Sequence, residues 1–198
     1  MIFVDVEASG TNYQKHSIVS IGALDFENPD NRFYVECRLW DGAHINPEGL
    51  AVSGFSEEEV RSEERITEGE AVRQFLEWSQ HMADRTLAGQ NVSFDRDYLK
   101  AASEREGLSW DMAHRTLDTH SFAWMHMVKR GLVPPIDVEH RRSALNLEEV
   151  AIYTGIPEEP QPHNALTGAL VHAEVTSRLL YDKKLLPEFQ EYGIPWLE

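Results

Sequence analysis

Before any helical pattern begins, the chain lays down three β-like segments, IFVDV, HSIVSIGALDF and RFYVECRLW, and this opening constrains the fold most. All three are rich in β-branched and aromatic residues, and Asn28-Pro29-Asp30-Asn31 between the last two is a turn cluster. They are predicted to form a meander of antiparallel strands. From about Glu68 the period changes: Val72, Phe75, Leu76 and Met82 recur at helical spacing to Met82, followed by the short apolar run TLAG. A helix with Ser93 as its cap carries Phe94, Tyr98, Leu99 and Ala102; RTLDT is then a strand, and a helix runs through Phe122 to Val128. Gly131 to Arg142 is read as a loop. Leu147 to Tyr153 is a short helix closed by Gly155, and a long helix spans about Asn164 to Tyr181. Three meandering strands followed by βα units predict an α/β fold, a mixed sheet flanked by helices.

The 198 residues suit a single domain over 1–198, and no shift in composition marks a boundary. No stretch has the length and apolarity of a spanning helix or the layout of a signal peptide, so no membrane association is expected. The only cysteine, Cys37, can form no internal disulfide, and a cytoplasmic location is the expectation. With 34 acidic and 18 basic residues, a formal charge of −16, the chain is poorly suited to grip long nucleic-acid polymers. The run Glu57, Glu58, Glu59, Glu63 and Glu64 reads as a solvated face.

Asp5 and Glu7 stand two apart in the first strand, so their side chains leave one face of the sheet while Val4 and Val6 leave the other. Two carboxylates so placed suit a hard divalent cation. Ala8-Ser9-Gly10 then makes a small-residue corner where a substrate backbone can come close. In GQNVSFDRDYL, Asp95 falls in the first turn of a helix that follows a buried strand, a corner where open α/β folds place their sites. The helix dipole alone also accounts for an acid there. His163 lies in a loop before the long helix, a suitable position for a general base.

Taken together, VDVEASG, NVSFDRDYL and HNALTGA resemble the three motifs of the DEDD exonuclease superfamily in its histidine form, the group of ribonuclease T, oligoribonuclease and the proofreading subunit of bacterial DNA polymerase III. The resemblance extends through SIVSIGAL and INPEGLAVSGFSEEEV and implies a ribonuclease H-like fold. It implies hydrolysis of nucleotides from the 3′ end of short or single-stranded DNA or RNA with two Mg²⁺ or Mn²⁺ ions. By that resemblance Asp5 bridges the ions, Glu7 ligates the one that activates water, Asp95 supports the second, and His163 takes the proton from the attacking water. Ser9, Gly10, Asn91 and Phe94 become candidates to hold the terminal nucleotide, and Phe55 either stacks on a base or joins the core. One departure stands out: the family's fourth carboxylate falls at Gly168. Restoring aspartate there is expected to supply the ligand. His172, one turn later, is read as a helix-surface residue. A catalytically weak nucleic-acid or nucleotide-binding module on the same fold is the alternative.

Overall fold

The computed structural model describes residues 1–198. The chain begins with β1 (Ile2–Ala8), β2 (Ile18–Asp25) and β3 (Asn28–Arg38), the short helices α1 (Pro47–Val52) and α2 (Glu57–Arg61), and β4 (Ile66–Thr67). It continues through α3 (Glu68–Ser79), β5 (Leu87–Gly89), α4 (Ser93–Arg105), β6 (Thr116–Asp118) and α5 (Thr119–Lys129). The hairpin β7 (Ile136–Asp137) and β8 (Arg142–Ser143), then α6 (Leu147–Thr154) and α7 (Ala165–Tyr181), complete it. The six-stranded sheet has the order β4-β3-β2-β1-β5-β6, with β1, β2 and β3 antiparallel and β5 and β6 parallel to β1. This is the predicted mixed sheet flanked by helices. No helix is long and apolar enough to cross a membrane.

The period of two in β1 decides what lies on each face. Ile2, Val4 and Val6 pack into the larger core with Val72, Phe75, Tyr98 and Leu99 of α3 and α4. Phe3 points the other way, against Ala169, Leu170 and Ala173 of α7. Asp5 and Glu7 share the parity of Phe3, so α7 and its N-terminal turn lie on their side.

Gly22, the β2 partner of Asp5, makes that approach possible. A Cβ on Gly22 would run into the backbone of Ala165 and Leu166, so the first turn of α7 rests directly on the sheet. Asn164 caps the helix, its side chain accepting from the N–H groups of Leu166 and Thr167 at 3.0 and 3.3 Å. At the far end, Arg178 is fully buried. It donates to Glu174 at 2.7 Å and to the carbonyls of Thr154, Gly193, Phe189 and Tyr192, which ties the C-terminal segment to α7.

Three local expectations are corrected. The segment from Gly131 to Arg142 is not all loop but contains the β7–β8 hairpin and its turn. Val92, not Ser93, occupies the cap position of α4 and makes no side-chain cap bond; the Ser93 hydroxyl instead meets the Asn91 side chain at 3.3 Å. His172 is 2% exposed, because α7 is buried on nearly every side between the sheet, α5 and α6.

Candidate active site

Asp5, Val6, Glu7, Gln90, Glu159, His163 and His172 line one cavity of about 240 Å³, closed on another side by Leu147, Glu148 and Ala151 of α6 and by Val171 of α7. Four predicted residues thus meet around one end of β1. Asp5 and Glu7 come from the strand and His163 from the loop before α7. Asp95 comes from the first turn of α4, buried and with Oδ1 accepting from the Val6 N–H at 2.9 Å. That bond fixes Asp95 against the strand that bears the other two carboxylates.

The cluster is electrostatically costly. Burial, followed by the charges of Asp95, Glu7 and Glu159, holds the Asp5 carboxyl well above the usual carboxylate range. Burial pushes Glu7 up to about 7, with His163 pulling it down and Glu159 pushing it up. Asp95 also reaches about 7 through burial, despite the opposing bonds from backbone N–H groups. Glu159 is raised by burial as well. Like charges held together out of water need a counter-cation or protons. An all-oxygen set with no Lys or Arg among the cavity's lining residues fits a hard divalent ion, which reverses the sign of the local field. No three His, Cys, Asp or Glu side chains stand close enough together to grip an ion as they are.

His163 is anchored through its backbone, donating to the Val52 carbonyl at 3.0 Å. Its Nδ1 lies 4.0 Å from Glu159 Oε2, and its Nε2 is buried with no hydrogen-bond partner. An imidazole nitrogen left unpaired at a carboxylate-lined cavity can accept a proton there.

Gly168 faces this site. A Cβ built on it would press against the Asp5 carboxylate, so the position belongs beside the acidic cluster, as the third motif requires. A restored aspartate could supply the ligand there only if the Asp5 side chain shifted to make room.

The substrate-holding candidates separate. Ser9 is fully buried, and its hydroxyl is committed to the structure, donating to the His44 carbonyl at 2.8 Å and accepting from the Ser17 N–H at 3.0 Å. Its side chain holds the corner and is withdrawn from the set. Gly10 is buried against the His16 ring, and its carbonyl accepts from the Tyr98 hydroxyl at 2.6 Å. Phe94 is half-buried and tilted against Tyr98, with ring centroids 4.7 Å apart. Asn91 is exposed with φ of +53°, at the edge of a second, larger groove shared with Asp118, His120 and Arg142. Phe55 packs beside the small core of Val19, Leu39 and Leu50, with the Arg65 guanidinium 4.8 Å above its ring.

Among the cavity residues that sequence reasoning did not place in the site are Gln90, His172 and Glu159. Gln90 joins it to the larger groove; its Nε2 donates to the Leu145 carbonyl at 2.8 Å while its Oε1 is buried without a partner. His172 is pushed down to about 4 by burial, the Val4 carbonyl acting in the opposite direction, and its Nδ1 has no well-formed partner. Glu159 lies in the proline-rich loop four residues before His163. Its only sequence signal is that it precedes the histidine by a short stretch, which no spacing rule singles out.

No family model matches the chain. It is similar to ribonuclease T of Haemophilus influenzae, 26% identical over 168 residues that cover 73% of this chain and 72% of that protein. It is also similar to ribonuclease T of Yersinia pseudotuberculosis, 25% identical over 196 residues, 90% of this chain and 83% of the relative. Among solved structures, the nuclease domain of 3′hExo, a DEDDh family member bound to rAMP, superposes with a TM-score of 0.69 at 16% identity, covering 93% of each chain. Exonuclease I of E. coli in complex with a dT13 oligonucleotide carrying a 5cy group gives a TM-score of 0.69 at 16% identity; 91% of this chain is covered, but only 41% of exonuclease I. The chain is thus similar in sequence to ribonuclease T over most of its length and shares its fold with the nuclease domain of 3′hExo, a DEDDh family member.

Proposed function

We propose that the protein is a 3′–5′ exonuclease that removes terminal nucleotides from short or single-stranded nucleic acid with the help of two divalent metal ions. The observation that carries this reading is the meeting of three carboxylates, the half-buried Asp5 and Glu7 and the buried Asp95, with the unpaired Nε2 of His163 at one end of β1. Mg²⁺ or Mn²⁺ held by Asp5, Glu7 and Asp95 would supply the positive charge that stabilises the entering and leaving oxygens of an in-line displacement.

The chain's own groups do the rest. His163 Nε2 accepts the proton of the attacking water, and the Val52 carbonyl holds the backbone that positions the ring. Asn91 and Phe94 hold the terminal nucleotide, and Gln90 Oε1 offers an acceptor in the wall that the cavity shares with the larger groove. The net charge of −16 leaves little attraction for a long polymer, which favours short strands as substrates. Both reported relatives are named ribonucleases and one neighbour was solved with an oligonucleotide, which supports a nucleic-acid substrate.

The test is trimming of end-labelled RNA and DNA oligonucleotides with a free or a blocked 3′ end, in Mn²⁺ and in chelator. Metal-dependent shortening from free 3′ ends is expected, lost in Asp5→Ala and reduced about 10²–10⁴-fold in His163→Ala. Activity unchanged in both variants would refute the assignment. Metal-dependent binding without cleavage by the unaltered protein would favour a binding module instead.

A further inference from the structure

The family's pattern asks for a fourth carboxylate beside Asp5, and Gly168 offers none although its Cα faces that spot. Glu159 is the carboxylate nearest in kind. It lines the same cavity as Asp5, Glu7 and His163, and its side chain is only 7% exposed. No Lys or Arg pairs with it; the one residue within salt-bridge reach is His163. A buried carboxylate without a guanidinium or ammonium partner is stable when it shares a cation or a proton.

Its orientation is fixed at both ends. Glu159 Oε1 accepts from the Asn164 N–H at 3.1 Å, the residue that caps α7, and Oε2 lies toward the His163 ring. The loop that carries it is pinned as well, with Pro162 packed over Gly54 where a Cβ would not fit. One further atom in the cavity wall points to an occupant the protein does not provide: the Nε2 of His163 is buried without a hydrogen-bond partner.

We infer that Glu159, reaching in from the loop before α7, supplies the metal-ligating carboxylate that Gly168 cannot. The ligand set has been moved from the helix to the loop: a longer side chain on one side of the histidine replaces a shorter one on the other. This inference rests on the metal-dependent reading above.

The test is Mn²⁺ titration by calorimetry, without substrate, on the whole chain, comparing the unaltered protein with Glu159→Gln, Glu158→Gln and Asp5→Asn. Glutamine keeps an acceptor for the Asn164 N–H, so the loop should hold, and thermal melts of the metal-free variants check that it does. Glu158 is exposed and next in sequence, so its variant makes the same charge change at an unrelated surface. Groups that merely support metal ligands cost 10–100-fold in affinity when removed, so a ligand should cost at least about tenfold. The expected result is such a loss at one Mn²⁺ site in Glu159→Gln, with less than about a twofold change in Glu158→Gln. Unchanged binding in Glu159→Gln, with loss in Asp5→Asn, would overturn the inference alone. Equal losses in the two glutamate variants would reduce it to a general charge effect and overturn it too. No Mn²⁺ binding by the unaltered protein would overturn both this inference and the metal-dependent reading.

Discussion

Glu7→Gln should make the metal-free protein more stable while abolishing its catalysis. Burial holds the Glu7 carboxyl at about 7 against an ordinary 4.5, a difference worth about 3 kcal/mol at 1.36 kcal/mol per unit. Because the folded state binds that proton more tightly than the unfolded chain, the stabilisation is fully present below about pH 4.5 and is lost as pH rises through about 7. At pH 8 the unaltered protein therefore carries nearly the whole cost, and glutamine, which never ionises, removes it. For a chain of this length, about 3 kcal/mol corresponds to a rise of roughly 6–12 °C in Tm. The assay is thermal unfolding in chelator at pH 4.5 and pH 8 for both proteins. The expected gain is near zero at the lower pH and close to the full value at the higher one. Adding excess Mn²⁺ at pH 8 should stabilise the unaltered protein more than the variant, narrowing the gap. A variant no more stable than the unaltered protein at pH 8, or one shifted equally at both pH values, would show that Glu7 is not held ionised at a cost.

Two further substitutions test the frame around the site. Gly168→Ala would add about 1 kcal/mol through helix propensity if the position were open, but its Cβ presses on the Asp5 carboxylate, so urea unfolding should show no gain and Mn²⁺ titration a weaker affinity. Arg178→Ala leaves Glu174 fully buried without its cation and strips four carbonyls of a donor, so equilibrium unfolding should report a loss of about 3–5 kcal/mol.

Near the site, β1 and α7 were the most legible in the sequence, because a strict period defines the one and a strong cap the other. In β1 the alternation of Val4 and Val6 with Asp5 and Glu7 sets both faces of the strand, and the cores on either side respect it. Gly155, with φ of +83°, ends α6 where a left-handed residue is needed. The β7–β8 hairpin was not legible, since two-residue strands carry no period and Pro134-Pro135 reads as loop. Ser9 looked like a substrate contact because a small-residue corner serves equally well for a hidden hydroxyl bonded to the backbone. His172 looked exposed because a helix's own pattern shows one apolar stripe, whereas α7 is covered from several directions by elements distant in sequence.

Glu159 escaped notice for a deeper reason, which also explains Gly168. A motif records which residue types recur at fixed separations, but a ligand position is a point in space that different parts of the chain can reach. Here the first turn of α7 lies so close to the sheet that Gly22 has no room for a side chain, and the same closeness brings Gly168 against Asp5. Under that approach a carboxylate on the helix competes with Asp5 for one volume, whereas the Glu159 carboxylate from the loop lines the cavity beside His163. The glycine costs about 1 kcal/mol of helix propensity and relieves a clash that would otherwise displace the carboxylate central to the site. Loss of the fourth motif residue and a disabled site are therefore separate propositions. The first is a matter of sequence, and the second depends on whether another oxygen occupies the same region, which the packing of α7 against β1 and β2 leaves to Glu159.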